Sequence, residues 1–412
     1  MAPNIATPLK VAIICIYADL PNQGYSTKLY YIAKYLQKLG CEVEFIHSGN
    51  GYNFSSDNAP APQIETDFTI TRLQTISYGI ASQKMRRILA WLFFEFRVLL
   101  HCLFAKRKDI YLMSSPSILS LATGVVLKKL KRSHLVVDVR DIWPLTLTEE
   151  AGYQPDNKLI RLMGAIEKKS GKEAGLIMSS IPRLGDYYKQ ELGIDKPFAF
   201  MPICRDEEIA TKPDATILSK PVNPDSLTIG YVGSMGASNN LDCFIETIER
   251  LQNHKAINFV IYGKGAFFDD YHKRIAHFDN VSFHESVPRS EVNQVYRLFD
   301  VGYVSCHDSK IWKYGQSLNK ILSYMENRKP IIVAYPEFGH KSMVDEANCG
   351  SFIETNSADS LTDEILRYAE MDFKDIQAMA ERGYDWVMAH RSYEAHVTQL
   401  HHAMKQMVAG GR

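Results

Sequence analysis

The sequence has no excess of charge of either sign. Its 412 residues contain 47 Lys and Arg and 47 Asp and Glu. Proteins that bind nucleic acid along an extended surface carry a strong positive field, so this balance argues against that class. We predict no nucleic-acid partner, and any anionic ligand must be held by a local group of cations.

Paired cysteines are also missing. The seven cysteines are scattered, and none forms a Cys-x-x-Cys motif. An odd, scattered set is typical of buried thiols in a reducing compartment and argues against a disulfide framework or a structural zinc site. The first nine residues lack the charged start and long apolar core of a signal peptide. We therefore expect a cytoplasmic protein.

Two ligand-binding motifs are absent. The loop after the first predicted strand contains one glycine, Gly24, instead of G-x-G-x-x-G, which argues against nicotinamide or flavin binding. No Asp-x-Asp pair is present to hold a divalent cation on a diphosphate. We predict no cofactor and no metal site. The tail histidines are expected on a solvated helix face: His390, His396, His401 and His402.

Strands and helices alternate along both halves of the chain. Residues 11–16 are an apolar, β-branched run, and a polar loop and a segment of helical periodicity follow. The same order recurs from residue 227 onward. Repeated strand–helix units predict an α/β fold with two doubly wound, Rossmann-like domains that face each other across a cleft. The length suits two domains of roughly 200 residues each.

A polar stretch with three prolines separates the halves. We assign residues 1–205 to the first domain, 206–226 to a linker without periodicity, and 227–385 to the second domain. Residues 384–407 are predicted to form one long helix. We expect residues 386–412 to cross back to the first domain.

The clearest candidate for an anion site is the polar stretch 314–320. It contains Gly315, Ser317, Asn319 and Lys320 and continues into an apolar-periodic segment. The free N–H groups of a helix's first turn and the positive end of its dipole favour an anion, and Lys320 adds a full charge. The alternative is an ordinary helix cap.

A second loop of this kind follows the strand that opens the second domain. Gly233 and Gly236 lie in it and would let backbone amides approach a ligand closely. Lys264 follows the next predicted strand and would supply charge to the same site. The two loops together predict a phosphate-binding pocket.

In the first domain, the strand 135–139 runs into Arg140, Asp141 and Trp143. The carboxyl end of a strand is where doubly wound sheets bind ligands. The charged pair is suited to orienting a hydroxyl nucleophile or balancing a phosphate, and Trp143 offers a face to a sugar ring. The alternative is a structural ion pair with a capping role.

Residues 84–108 predict an unusually apolar helix. Between residues 88 and 105, only Glu95, Arg97 and His101 interrupt the apolar or small residues. The segment is too polar and too short for a membrane span. Two interpretations remain open: a helix buried between the sheet and its neighbours, or one whose outer face enters an anionic membrane surface with the help of basic residues at both ends.

Four segments together resemble family 4 of the retaining GT-B glycosyltransferases: residues 138–144, 231–236, 300–303 and 314–320. The resemblance is to the branch of bacterial O-antigen and capsule enzymes of the fucosamine-transferase type, and it extends over nearly the whole chain. It implies that the second domain binds a nucleotide sugar, usually a uridine diphosphate sugar. The sugar would be transferred to a surface-polysaccharide or lipid-linked oligosaccharide acceptor on the first domain, at the cytoplasmic face of the membrane.

The resemblance also implies residue roles. Lys320 would pair with the diphosphate, while Arg140 and Asp141 would face the acceptor; these three are the predicted catalytic residues. Fixed donors and cations that stabilise a leaving diphosphate supply most of the rate in such chemistry. The base would be held by the backbone of Ser286 and Val287. The residues expected to line the diphosphate or contact the donor sugar are Gly24, Gly233, Ser234, Gly236, Ser317 and Asn319.

Two positions depart from the family pattern. Gly315 and Ser323 stand where the family often has two glutamates, the second of which binds the ribose hydroxyls. We expect Ser323 to take that place, although a hydroxyl makes a weaker bond than a carboxylate. These two positions leave a non-catalytic GT-B binding subunit open as an alternative function. A third alternative is a sugar-nucleotide epimerase, which is disfavoured because no acidic pair is placed for ring chemistry.

Overall fold

The computed structural model describes residues 8–21, 26–48, 66–76, 84–150, 152–205, 226–315, 318–334, 342–353 and 357–410. The chain divides into two compact units. Unit 1 is Met1–Glu208 with Ser392–Arg412, and unit 2 is Ile209–Arg391. The predicted linker lies outside the described residues, apart from Ser226.

Unit 1 alternates strands and helices, as its apolar periodicity predicts. Its elements up to residue 200 are β1 Lys10–Cys15, α1 Lys28–Lys38, β2 Glu42–His47, β3 Thr69–Arg72, α2 Lys84–Phe104, β4 Ile110–Ser114, α3 Ile118–Lys131, β5 His134–Val139, α4 Leu145–Glu150, α5 Lys158–Glu173, β6 Leu176–Ser179, α6 Leu184–Gln190 and β7 Phe198–Phe200.

The described strands of unit 1 form one parallel sheet in the order β3-β2-β1-β4-β5-β6-β7. The order reverses between β1 and β4. In a doubly wound sheet, the carboxyl ends of the strands at such a reversal open a crevice for ligands. The loops after β1 and β4 therefore frame the candidate site of this unit.

Unit 2 repeats the pattern. Its strands and α-helices are β8 Leu227–Ser234, α7 Asp242–Arg250, β9 Ile257–Lys264, α8 Phe268–Ile275, β10 Val281–Glu285, α9 Arg289–Val295, β11 Val301–Ser305, α10 Asn319–Glu326, β12 Ile331–Ala334, α11 Met343–Ala347, β13 Gly350–Ile353, α12 Ala358–Glu370 and α13 Phe373–His390. Short 3-10 helices lie at Ala237–Asn239, Tyr296–Leu298 and Lys310–Tyr314.

The described strands of unit 2 also form one parallel sheet, in the order β10-β9-β8-β11-β12-β13. The order reverses between β8 and β11. β11 is buried along its whole length and β8 from Thr228 to Tyr231, as expected for a parallel sheet covered by helices on its two faces. The predicted α/β architecture with two doubly wound sheets is therefore confirmed.

The tail differs from its prediction. Instead of one helix over residues 384–407, α13 ends at His390 and a second helix, α14 Tyr393–Gly410, begins after a short break. Arg391 at the break is non-helical, with φ −121° and ψ 54°, and its guanidinium lies 4.7 Å from the centre of the Trp386 ring. Helical periodicity continues across the break, so the pattern does not reveal it.

Helix α14 belongs to the core of unit 1. Tyr393 stacks on Tyr31 of α1 with ring centres 4.6 Å apart. Val397, Leu400 and Met404 are buried in the same apolar cluster as β1 and β2. The last helix therefore completes the face of sheet 1 on which α1 lies.

Candidate functional site

The candidate site of unit 2 lies where its strand order reverses. β8 ends at Ser234, the short 3-10 helix after it ends at Asn239, β11 ends at Ser305, and α10 brings Lys320 to them. These elements meet because the carboxyl ends of parallel strands lie at one edge of the sheet. Residues far apart in the sequence are thereby brought within hydrogen-bonding distance: Lys320 is 81 positions from Asn239 and 89 from Tyr231.

Lys320 is held by neutral oxygens. Its Nζ donates to the Tyr231 hydroxyl at 2.8 Å and to Asn239 Oδ1 at 2.5 Å, and it lies 4.5 Å from the centre of the Tyr231 ring. Among the described residues, no carboxylate pairs with this ammonium. The cation is thus positioned without being neutralised.

The electrostatic state of Lys320 follows from that arrangement. Burial lowers the pKa of Lys320 to about 8, while nearby Cys306 acts in the opposite direction. Desolvation disfavours the charged form of a lysine that lacks an anionic partner. An anion that enters the site would supply the missing charge and favour the protonated lysine.

Gly233 makes room for this lysine. A Cβ atom at position 233 would lie 2.3 Å from Lys320 Cε and 2.9 Å from its Nζ. Gly236 is different, because no atom lies within 4 Å of a Cβ built there. The first glycine is required by the lysine, and the second leaves open space beside the loop.

Helix α10 is fastened to the sheet through Tyr324. Its hydroxyl accepts from the Val232 N–H at 3.1 Å and donates to the Tyr303 carbonyl at 3.3 Å. The ring lies against Gly302, where a Cβ would come 2.7 Å from the Tyr324 ring. The start of α10 has no side-chain cap, since Leu318 is its N-cap residue. The ordinary Ser or Asn cap considered as an alternative is therefore not found.

The other predicted donor-site residues in unit 2 lie at the same edge of the sheet or on α10. Lys264 ends β9, pairs in register with Ser234 and has an exposed side chain. Ser286 and Val287 directly follow β10, the neighbour of β9. Asn319 is exposed at the start of α10, and Ser323 is half-buried one turn after Lys320. Gly24 and Ser317 lie outside the described residues.

Sequence reasoning missed the two direct partners of Lys320. Tyr231 appears in the sequence only as one apolar residue of a buried strand, and no signal marks its hydroxyl. Asn239 follows Gly236 in the second predicted loop, so the sequence placed it near the site but gave no sign that it binds Lys320. Its side chain links both sides of the site, because Nδ2 donates to Ser234 Oγ at 2.8 Å while Oδ1 accepts from Lys320.

In unit 1, Arg140 and Asp141 follow β5 as predicted. Arg140 is half-buried and donates through Nη1 to the Tyr17 carbonyl at 3.2 Å and to Ser26 Oγ at 2.8 Å. The Asp141 side chain is exposed. Arg140 thus has protein partners of its own, whereas Asp141 is open to solvent.

A buried ion pair beside Arg140 was not predicted. Asp138, fully buried near the end of β5, lies 2.7 Å from Lys28 Nζ through its Oδ1 atom. Its Oδ2 atom accepts from Ser114 Oγ at 2.7 Å. The signal in the sequence was an aspartate inside an otherwise apolar strand, since charged groups are rarely buried unless they are paired.

Helix α2 is buried on one side only. Ala90, Phe94, Val98 and Cys102 face the protein, and Glu95 is buried with them. The opposite side exposes an unbroken row of large apolar side chains: Met85, Ile88, Leu89, Leu92, Phe93, Phe96, Leu100, Leu103 and Phe104. We call this row the α2 apolar face. Within the described residues, no helix is long and apolar enough to cross a membrane.

In the described part of the chain, no group of three or more His, Cys, Asp and Glu side chains is placed to hold a metal ion. In the tail, the His390 and His402 side chains are exposed and His401 is buried.

The comparison with protein families concerns unit 2. The model described as "Glycosyl transferases group 1" matches residues 226–371, which include β8, α10 and every partner of Lys320 described above. Residues 226–371 are therefore similar to the group 1 glycosyl transferases. This match confirms the predicted enzyme class, a glycosyltransferase.

Solved structures with the same fold cover both units. A sucrose-phosphate synthase from Thermosynechococcus elongatus is 15% identical over 98% of this chain and 100% of its own, with a TM-score of 0.73. HepE from Anabaena, solved with UDP and glucose, is 11% identical over 97% and 100%, with a TM-score of 0.62. WaaG, a glycosyltransferase of lipopolysaccharide biosynthesis, is 15% identical over 95% and 98%, with a TM-score of 0.61. No curated protein sequence matches the chain significantly.

These likenesses confirm the predicted GT-B fold class of the glycosyltransferase. At identities this low, structural similarity establishes the fold but does not identify the substrate. The predicted residue roles, the branch of the family and the acceptor stay predictions.

Proposed function

We propose that the chain is a retaining glycosyltransferase of the fucosamine-transferase type within family 4. It transfers a sugar from a nucleotide diphosphate sugar, with uridine diphosphate as the favoured nucleotide, to a surface-polysaccharide or lipid-linked oligosaccharide acceptor. The observation that carries this proposal is the un-neutralised Lys320 ammonium at the strand reversal of a group 1 domain.

The chemistry of donor cleavage suits this cation. When the bond between the sugar and the diphosphate breaks, negative charge grows on the diphosphate oxygens. A preorganised ammonium that is already desolvated stabilises that charge without further rearrangement. The backbone beside Gly233 and Gly236 and the N–H groups at the start of α10 add neutral donors for the same oxygens. We expect turnover to continue without a divalent cation.

Two proteins of similar structure support the favoured donor and acceptor. HepE has been solved with UDP-glucose, and WaaG acts in lipopolysaccharide biosynthesis. Both statements concern those proteins, and for this chain they support the proposal only through the shared fold.

Nucleoside diphosphate release tests the proposal. The protein is incubated with UDP-, GDP- and ADP-sugars without acceptor, with and without EDTA. We expect release from a UDP-sugar in both conditions and loss of release in Lys320→Ala. If calorimetry detects no binding of any of the three diphosphates, the proposal is wrong.

The non-catalytic binding subunit remains the second candidate because of one observation. Ser323 lies one turn after Lys320 on α10, where the family pattern has a carboxylate for the ribose. Tight UDP binding without release from any UDP-sugar, in the presence of an acceptor extract, would favour this candidate. Restored turnover in Ser323→Glu would identify the missing carboxylate as the cause.

We further propose that the enzyme works on the inner face of the cytoplasmic membrane and attaches through the α2 apolar face. Burying a fully exposed large apolar side chain contributes about 1.5–3 kcal/mol, and Phe104, 89% exposed, and Phe96, 56% exposed, contribute in proportion to the part that still meets water. The row is continuous, which distinguishes it from the scattered apolar residues of an ordinary surface.

The charges around this face favour an anionic bilayer over a second copy of the chain. Arg86, Arg87, Lys106 and Arg107 are exposed at its two ends. Between residues 84 and 108 the one acidic side chain, Glu95, is buried. Two such faces would repel each other, whereas each basic residue near an anionic surface contributes about 1 kcal/mol to binding.

Vesicle flotation tests the attachment. We expect the protein to float with vesicles that contain phosphatidylglycerol and to remain behind with phosphatidylcholine alone. Leu92→Gln with Phe96→Gln should abolish flotation, and Arg86→Glu with Arg87→Glu should weaken it. Leu159→Gln with Leu162→Gln on α5, which changes an exposed apolar pair outside the face, is the control. Unchanged flotation in both α2 variants, or a wild-type dimer that Leu92→Gln dissociates, would refute the proposal.

A further inference from the structure

The two described ends of the β1–α1 loop hold each other. The Asp19 N–H donates to the Ser26 carbonyl at 3.1 Å, and the Ser26 N–H donates to Asp19 Oδ2 at 2.9 Å. Ser26 Oγ donates to the Tyr17 carbonyl at 3.0 Å. These bonds close the base of the loop and fix the spacing between the end of β1 and the start of α1.

Arg140 ties this closed base to the end of β5. A single guanidinium nitrogen, Nη1, donates to Ser26 Oγ on one end of the loop and to the Tyr17 carbonyl on the other. The planar guanidinium presents its donors in fixed directions, so a contact of this kind constrains orientation as well as distance. The arginine therefore joins three separate segments of unit 1.

The Lys28–Asp138 pair makes a second tie between the same elements. Lys28 is the first residue of α1, and the side chains of the pair are 10% and 0% exposed. Two charges buried together stay together, because separating them would leave a desolvated charge without its partner. The pair therefore fixes where α1 starts relative to β5, and Ser114 extends the tie to β4 through its bond to Asp138.

We propose that Ser26, Lys28, Asp138 and Arg140 form a clamp that positions the β1–α1 loop for donor turnover. In this arrangement Arg140 is a positioning residue: it acts by holding the loop and does not contact the substrate. The inference rests on the proposed function, because the described ends of this loop border the strand reversal of the unit 1 sheet. A positioning error near 1 Å is enough to slow an enzyme strongly.

A matched control is available in the same sheet. Lys108 lies 2.8 Å from Glu44, with side chains 20% and 10% exposed, and it precedes β4, whereas Ser114 ends that strand. If Lys108 is removed, Glu44 keeps His101 and the Thr71 hydroxyl. In Lys28→Met, the Asp138 carboxylate likewise keeps its bond from the Ser114 hydroxyl and still faces the Arg140 guanidinium.

The first experiment compares Lys28→Met with Lys108→Met at a temperature where both are folded. Hydrogen exchange is followed in a peptide that covers residues 15–28, and kcat and KM are measured for nucleoside diphosphate release. In Lys28→Met we expect faster exchange at the Asp19 and Ser26 amides and a fall in kcat of about tenfold or more, with a smaller change in KM. Lys108→Met should leave both readouts at the wild-type level.

A milder pair of variants covers the case in which Lys28→Met does not fold. Ser26→Ala removes the hydroxyl that Arg140 and Tyr17 share, at a half-buried position, and Ser26→Thr retains it. We expect Ser26→Ala to reproduce the faster exchange and the lower kcat, and Ser26→Thr to restore both. Wild-type kcat in Ser26→Ala, or exchange no faster than in the control, would overturn the clamp.

The two hypotheses fail in different ways. Absence of nucleoside diphosphate release from the wild type refutes the proposed function, while the exchange measurement still reports whether the clamp exists. Normal wild-type turnover together with unchanged kcat in Ser26→Ala and Lys28→Met refutes the clamp and leaves the proposed function intact.

Discussion

Both units present lysines at the edge where their strand order reverses, but the two lysines have different partners. In unit 1, Lys28 is paired with the carboxylate of Asp138 inside the protein. In unit 2, Lys320 meets a phenol and an amide, which hold it without cancelling its charge. A cation that is already neutralised serves structure, whereas one held by neutral oxygens has its charge available for a ligand.

The largest expected effect comes from removing the charge of Lys320. We expect Lys320→Ala to reduce nucleoside diphosphate release by about 100- to 1,000-fold, the usual loss when one preorganised electrostatic donor is removed. The control is Lys329→Ala, which changes a lysine that follows α10 and packs 5.9 Å from the centre of the Phe299 ring. An equal loss in both variants would mean that the effect is not specific to the site.

The paired lysine should instead matter most for stability. We expect Lys28→Met to reduce the free energy of unfolding by about 3 kcal/mol, because Asp138 keeps a buried charge without its main partner. Lys320→Met should leave stability unchanged or raise it, since it removes a desolvated charge. Thermal and urea unfolding measure both changes, and equal destabilisation by the two substitutions would contradict the contrast.

Alanine substitutions at Gly233 and Gly236 test whether the position of the Lys320 ammonium matters for turnover. Gly233→Ala would place a methyl group against Lys320 Cε, and we expect it to lower donor turnover by about tenfold through displacement of the ammonium. Gly236→Ala has open space around the new methyl group and should cost far less. Comparable losses in the two alanine variants would show that the backbone of the loop matters more than the position of the lysine.

The smallest effect concerns pH. Since burial sets the pKa of Lys320 to about 8, the fraction that is protonated in the free protein falls by about tenfold between pH 7 and 9. UDP affinity, measured by calorimetry, should fall by a similar factor, and Lys320→Ala should remove that dependence. A wild-type affinity that does not change over this range would mean that the charge of Lys320 is not needed for binding.

Stability should respond to pH in the opposite direction. The pKa of this lysine is lower in the folded protein than the ordinary 10.5, so the unfolded chain binds more protons between about pH 8 and 10.5. The contribution of Lys320 to stability therefore rises with pH through that window. The difference in unfolding free energy between wild type and Lys320→Met, measured at pH 8 and 10, checks the sign.

The parallel-sheet fold could be predicted because its signals are local. Apolar runs such as 11–16 and 301–305, each followed by a polar loop and a helical period, correspond to observed strands. The break after His390 could not be predicted, because apolar residues keep their helical spacing on both sides of it. What ends α13 there is a non-helical Arg391 packed on Trp386, a contact that periodicity does not encode.

The candidate site was predictable only in part, for a related reason. Lys320 and the glycine loop stand out because they combine unusual residues with a position after a strand. Tyr231 does not, since it looks like one apolar member of a buried strand and its partner Lys320 lies 89 positions away. Asp138 is visible as a charge in an apolar strand, but its partner Lys28, 110 positions away, is not. Partners that are distant in sequence carry no local pattern, so the functions of such residues appear only in the folded chain.

The last helix has a consequence for how the protein is made. Tyr393, Val397, Leu400 and Met404 fill the core of unit 1, yet they are synthesised after all of unit 2. During translation, one face of the unit 1 sheet therefore stays incompletely covered until the residues of α14, about twenty of them, have left the ribosome. Unit 2, which is contiguous in sequence, has no such delay, so it can fold before unit 1, which precedes it in the sequence.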